Sequence, residues 1–250
     1  MIKLNGYIIT PTIFPDKTSQ VWKLPDSYIY TYTSEYTPLN IIDWEFEHEG
    51  EFLQIAQLKY LVDMTAKKPA VLFLNYLPYA RQDKEISNTA TFALRPFADL
   101  LNSLKFQFIY VFDPHNYEVS KDLIKNLVVM LPIVEPIVRE LNATLVFPDK
   151  GAAHRYGKGQ PVIVCDKIRD PLTGEIKGLT VEGTVEPKAY LIQDDICDGG
   201  RTFIEVAKKL YELGASEVHL YISHGIFSKG LDVLRNAGIK RIFTRNGEVK

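Results

Sequence analysis

Short apolar runs alternate with longer amphipathic stretches along the chain. The runs VLFLNYL (71–77), FIYVF (108–112), TLVF (144–147), VIVC (162–165), AYLI (189–192) and VHLYIS (218–223) are rich in β-branched and aromatic residues. Each predicts a buried strand. Between them the apolar spacing becomes helical. Phe203, Val206, Ala207, Leu210 and Leu213 fall on one helical face. Phe92, Phe97, Leu100, Leu101 and Leu104 form a similar set, and Phe52, Ile55, Ala56, Tyr60 and Val62 a looser one. Alternating strand and helix predicts an α/β fold with mainly parallel sheets flanked by helices. Two runs of such units, with Pro132 and Pro136 at the join, predict two domains, 1–138 and 139–250. In sheets of this kind ligands sit at the carboxyl ends of strands, so chemistry is sought directly after each run.

Composition narrows the classes. The formal net charge of -2 gives no general drive toward nucleic acid or an anionic membrane, so neither partner is expected. No stretch approaches the ~20 apolar residues of a spanning helix. The opening MIKLNGYIIT lacks the apolar core of a signal peptide. Cys165 and Cys197 have no metal-type spacing and form no disulfide framework, so a reducing, cytoplasmic setting is expected.

The most specific chemistry follows AYLI. There the chain reads Gln193-Asp194-Asp195-Ile196-Cys197-Asp198-Gly199-Gly200-Arg201-Thr202 and enters a helical stretch. Two carboxylates ending a strand can accept hydrogen bonds from two vicinal hydroxyls. A glycine turn at a helix start exposes backbone N–H groups that, with the helix dipole, suit a phosphate. Together they describe a ribose 5-phosphate site. The plainer alternative is an acidic loop with Thr202 as the helix cap.

This stretch resembles the PRPP-binding loop of type I phosphoribosyltransferases and PRPP synthetases. It runs on into Ser223-His224-Gly225-Ile226-Phe227-Ser228, which is similar to the THGIFS segment of PRPP synthetases. Three further segments favour the synthetases. Pro78-Tyr79-Ala80-Arg81-Gln82-Asp83 resembles their PYARQD signature. Asp113-Pro114-His115 resembles their DLH segment. Pro148-Asp149-Lys150-Gly151-Ala152-Ala153-His154-Arg155 resembles PDAGGAKR, with Lys150, Ala152 and His154 as departures. Lys150 either contacts substrate phosphate or is solvated. Asp166-Lys167-Ile168-Arg169 resembles the start of the synthetase catalytic loop, and residues 170–178 then read as a mobile flap or a surface hairpin. Phe14-Pro15-Asp16 is similar to a segment that contacts adenine across subunits. The resemblance covers most of the chain with its motifs in order.

The resemblance implies two tandem type I phosphoribosyltransferase-like domains. It implies transfer of the β,γ-diphosphate of ATP to the 1-hydroxyl of ribose 5-phosphate, giving PRPP and AMP, with Mg²⁺ as cofactor. Lys167 and Arg169 would be catalytic. Arg81, Gln82, Asp83, His115, Phe14 and Asp16 would bind ATP. Asp194, Asp195, Asp198, Gly199, Gly200, Arg201 and Thr202 would bind the ribose phosphate, and His115 and Asp149 the metal. Family members commonly assemble into dimers and hexamers, so a homo-oligomer is expected. No P-loop or protein-kinase motif offers another phosphate scaffold.

Two departures touch the acceptor. Gly199 stands where the family loop has Thr, and Arg201 where it has Gly. The chain stops at Lys250, where the family's usual C-terminal segment is expected to be missing or cut back. These changes suit a variant acceptor such as ADP-ribose, giving ADP-ribose 1-diphosphate for NAD salvage. A non-catalytic regulatory paralogue is a further alternative, against which the retention of Lys167, Arg169 and His115 argues. A plain phosphoribosyltransferase is another, and it would need no ATP.

Overall fold

Two separate apolar cores divide the chain into compact units, Met1–Leu131 and Pro132–Lys250. The computed structural model describes residues 1–31, 38–66, 69–157, 162–169 and 176–250, with backbone alone at 167–169 and 176–177.

The first unit opens with a hairpin, β1 (Ile2–Leu4) and β2 (Tyr7–Ile9). Its two-residue turn is Asn5-Gly6, with φ of 51° and 87°, the backbone that a tight hairpin of right-handed twist requires. A second, detached hairpin pairs β3 (Thr12–Ile13) with β4 (Ser19–Gln20). The βα units follow: β5 (Asn40–Trp44), α1 (Glu51–Thr65), β6 (Ala70–Leu74), α2 (Leu94–Ser103), β7 (Ile109–Phe112), α3 (Tyr117–Leu123) and β8 (Leu127–Met130). The sheet order is β2-β1-β5-β6-β7-β8. From β5 to β8 all neighbours are parallel, with Leu72 opposite both Ile42 and Ile109.

Ile42, Trp44, Leu72, Leu74, Ile109 and Val111 meet Ile55, Leu58 and Val62 of α1 and Leu94, Phe97 and Leu101 of α2. Full burial of each such side chain contributes ~1.5–3 kcal/mol. Two expected helix faces need correction. On α1 the inward residues are Ile55, Leu58 and Val62, and Tyr60 is 67% exposed. On α2, Leu100 is 54% exposed, because Phe97 and Leu101 already fill the stripe one turn apart.

The second unit runs α4 (Glu135–Leu141), β9 (Thr144–Phe147), α5 (Lys150–Tyr156), β10 (Ile163–Arg169), β11 (Ile176–Glu182), β12 (Ala189–Cys197), α6 (Arg201–Glu212), β13 (Glu217–Gly225), α7 (Asp232–Arg235), β14 (Ile239–Thr244) and β15 (Gly247–Val249). Its sheet order is β11-β10-β9-β12-β13-β14-β15, parallel except at the two edge pairs. Both sheets are thus mainly parallel and carry helices, the α/β architecture that the alternating pattern predicts.

The AYLI run is apolar throughout because β12 is covered on both faces. Tyr190 and Ile192 join the core of α6 with Phe203, Val206 and Leu210. Leu191 joins Tyr221 and Phe243 on the other face, under Ile137, Val138 and Leu141 of α4. That packing places α4 wholly in the second unit, so a boundary at 138/139 would cut a helix. The division lies before Pro132. Leu213, expected on the buried face of α6, lies just past the helix end and is 43% exposed.

Candidate active site

In the second unit the ends of β9 and β12 supply charge. β9 ends at Phe147, and Asp149 begins α5 by accepting a hydrogen bond from the Ala152 N–H at 2.9 Å. This satisfies one open donor of the helix and fixes the carboxylate at the strand tip. From the last turn of α5, Arg155 reaches the acidic pair on β12. Its Nη1 lies 2.7 Å from Asp195 Oδ1 and 3.9 Å from Asp194 Oδ1. Asp194 Oδ1 also accepts the Asp195 N–H at 2.9 Å. The Arg155 guanidinium lies against the Tyr156 ring, 5.4 Å from its centroid.

The electrostatics follow from that packing. Burial works against the charge of Arg155, but Asp195 and the Tyr156 hydroxyl together outweigh it, and the guanidinium is held more firmly protonated than usual. Asp194 is pushed well above the ordinary carboxylate range by its burial, then by the charges of Asp195 and Asp149. Burial, with Asp198 and Asp194 nearby, pushes the Cys197 thiol up to about 12 and keeps it protonated.

Beyond Cys197 the chain turns through Asp198, Gly199 and Gly200 into α6. Gly200, with φ of 76°, precedes the first helical residue, and a Cβ there would meet Leu234 Cδ2 at 2.8 Å. Glycine is therefore required by backbone and by space. The helix begins at Arg201, so Thr202 is its second residue and not its cap. The Lys229 stem lies 3.5 Å from where a Gly199 Cβ would stand. Arg201 is folded back along α6, its Nε 2.9 Å from Glu205 Oε1. The segment 223–228 closes over the turn, with Ile226 and Phe227 both donating to the Cys197 carbonyl.

In the first unit the ends of β6 and β7 form a second cluster. Past Leu74, Asn75 donates to Asp43 at 2.7 Å. Leu77 and Ala80 are buried, and Tyr79 adopts φ of 63° with its hydroxyl donating to Glu49. That bond, then burial, pushes the Tyr79 phenol up to about 12. The turn leaves Arg81 and Gln82 exposed and Asp83 half-buried. After β7, Asp113 turns the backbone at φ of 43°, and its N–H donates to the Met130 carbonyl. His115 is half-buried beside Asn116, whose Nδ2 donates to Asp83 Oδ2 at 2.7 Å. The sequence segments 78–83 and 113–116 therefore meet.

Comparison with known proteins decides the family. No protein-family model matches the chain. A ribose-phosphate pyrophosphokinase of Mycoplasmopsis pulmonis is 27% identical over 256 residues, covering 95% of this chain and 75% of that protein. Ribose-phosphate pyrophosphokinase 2 of Archaeoglobus fulgidus is 30% identical over 194 residues, covering 74% of this chain and 69% of that protein. The chain belongs to the ribose-phosphate pyrophosphokinase family. Pyrophosphokinases are transferases by reaction class. The fold agrees: the crystal structure of phosphoribosylpyrophosphate synthetase from Mycobacterium smegmatis matches with a TM-score of 0.73 at 20% identity, over 95% of this chain and 79% of that one.

Set against this pyrophosphokinase family, the expected residues fall into groups. Asp194, Asp195, Asp198, Gly199, Gly200, Arg201 and Thr202 lie together at the β12–α6 junction, with Asp149 close enough to act on Asp194. Arg81, Gln82, Asp83 and His115 share the β6 and β7 ends of the first unit. Phe14 and Asp16 lie elsewhere in that unit, in the turn between β3 and β4. There Asp16 Oδ1 accepts from the Thr18 N–H and Oγ1, and the turn and α1 line an open cavity of about 1110 Å³.

Lys167 and Arg169 are in strand β10, paired opposite Leu179 and Ile176 of β11, so the expected loop begins as one arm of a hairpin. Their side chains, and residues 170–175, lie outside the described residues. Lys150 is ion-paired with Asp166 at 2.8 Å, which raises its pKa.

Arg155 is the functional candidate that sequence reasoning passed over. It closes the stretch 148–155, and its signal is indirect: two adjacent buried carboxylates need a counter-charge. Among the described residues no three His, Cys, Asp or Glu side chains gather as a ready metal cage. The hard carboxylate oxygens of Asp149 still suit Mg²⁺, which keeps several waters and binds through one or two carboxylates plus substrate phosphates. No helix among the described residues is long and apolar enough to cross a membrane.

Proposed function

We propose that the protein transfers the β,γ-diphosphate of ATP to the anomeric hydroxyl of ribose 5-phosphate. The observation that carries this reading is the buried acid pair, held by Arg155, directly before a glycine turn at a helix start. In the reaction the 1-oxygen attacks the β-phosphorus. The bond from that phosphorus to the bridging oxygen of the α-phosphate breaks, and AMP leaves with the electron pair. The hydroxyl proton passes to solvent.

Charge in such a transfer spreads over phosphoryl oxygens, so positioning and fixed positive charge do most of the work. Asp194 and Asp195 accept from the ribose hydroxyls, and Arg155 holds Asp195 in place. The N–H groups from Gly199 to Thr202 take the 5-phosphate. Arg81, Gln82 and Asp83 hold ATP, with Phe14 and Asp16 supplied by a neighbouring copy in a homo-oligomer. Lys167 and Arg169 neutralise the transferring group. Mg²⁺, with His115 and Asp149 as its protein partners, would supply charge neutralisation on the ATP oxygens when bound. A cytoplasmic role in nucleotide biosynthesis accords with this chemistry.

One observation favours a second acceptor. Arg201 stands at the first turn of α6 with its side chain 75% exposed and, among the described residues, paired along its own helix with Glu205. A guanidinium at this position suits a second phosphate, as in ADP-ribose. Purified protein incubated with ATP, Mg²⁺ and either sugar distinguishes the two. AMP formed with ribose 5-phosphate supports the first reading. AMP formed with ADP-ribose alone overturns it in favour of the second.

A further inference from the structure

Asn116 joins the two strand-end loops of the first unit. Its backbone is fixed: its carbonyl accepts from the Ser120 N–H at 3.0 Å and from Ser120 Oγ at 2.6 Å, and Ser120 is fully buried. Its side-chain Oδ1 accepts the Val119 N–H at 3.2 Å and so caps α3. Its Nδ2 points the other way and donates to Asp83 Oδ2 at 2.7 Å. One amide thus uses its acceptor to close a helix and its donor to hold a loop.

We propose that Asn116 is a positioning residue for the nucleotide, acting through Asp83 on the exposed Arg81 and Gln82. This rests on the assignment of the 81–83 turn to ATP. Among the described residues the turn's backbone ties are two: Gln82 donates to the Tyr79 carbonyl, and Leu94 donates to the Gln82 carbonyl. A bond from an amide to a carboxylate is stronger than one between neutral groups, so it can hold such a loop. Because His115 adjoins Asn116, the same contact sets the spacing between the 81–83 turn and the His115 side of the site.

The chemistry makes the residue choice specific. Serine and aspartate cap helices about as well as asparagine. Neither can do both jobs: serine is too short to span to Asp83, and aspartate would face Asp83 with like charge. Asn116→Ser and Asn116→Asp therefore keep α3 closed and release the loop.

The test combines hydrogen exchange, calorimetric binding of Mg-ATP, and steady-state kinetics on the whole chain. In both variants, amides at 81–90 should exchange faster while those at 117–123 keep their protection. The ATP dissociation constant and KM should rise about tenfold, the effect of losing one charge-assisted hydrogen bond, with acceptor KM unchanged. Wild-type exchange at 81–90 together with wild-type ATP affinity in both variants overturns the proposal. If the wild type binds Mg-ATP but yields no AMP with any acceptor, the reaction assignment fails, and the exchange and calorimetry still decide the role of Asn116. A variant that unfolds is replaced by Asp83→Ala, which removes the same bond from its other side and should raise exchange at 81–90 alike.

Discussion

Arg155 Nη1 stands 2.7 Å from Asp195 Oδ1, with 9% of the arginine side chain and 3% of the aspartate side chain exposed. A pair this buried is costly to assemble and more costly to break, because removing one partner strands the other charge away from water. Arg155→Met should therefore destabilise the second unit by about 3–5 kcal/mol, read by urea denaturation. Activity should fall with it. Arg155→Lys keeps the charge without the planar fork and should fall between the two. Wild-type stability in Arg155→Met would remove the buried-pair argument.

Asp194 behaves in the opposite sense. Its folded pKa is raised, first by burial and then by Asp195 and Asp149. The folded carboxyl holds its proton more tightly than the unfolded one, so stability falls as pH rises from the ordinary carboxylate range through the raised value. Asn carries no such charge. Asp194→Asn should be the more stable protein at neutral pH, with the gain vanishing below about pH 4, where both forms are neutral. Acceptor binding should be lost at the same time, a stability-for-function exchange typical of active sites. Thermal melts of both proteins at the two pH values check the sign, and a variant less stable than wild type at neutral pH contradicts it.

Gly200 and Gly199 should differ in tolerance. Gly200→Ala meets both a left-handed backbone and the Leu234 methyl at 2.8 Å, and should cost about 1–3 kcal/mol. A Cβ at Gly199 meets only the flexible Lys229 stem at an ordinary 3.5 Å. Gly199→Ala should fold with wild-type stability. Equal melting temperatures for both variants would refute the distinction.

Much of this was legible along the chain because burial on both faces leaves an unmistakable apolar run. TLVF is β9 residue for residue, and AYLI opens β12 at Ala189. The glycine turn was legible because a positive φ and a helix start demand particular residues. Helix faces were less so: Tyr60 and Leu100 are apolar yet exposed, since neighbouring Leu58 and Leu101 satisfy the core first. Arg155 was hidden because its partner is about 40 residues away in sequence and only the fold brings β12 to α5. The boundary was displaced because α4 packs on a strand face, contributed by Leu191, that no local pattern reveals.

The proposed reaction moves a diphosphate, not a single phosphate, to the sugar. ATP labelled at its β-phosphorus, with Mg²⁺ and ribose 5-phosphate, tests it directly. The account predicts that the label moves into the sugar product as unlabelled AMP accumulates in equal amount. Label retained in ADP, or no AMP at all with this acceptor, would contradict it.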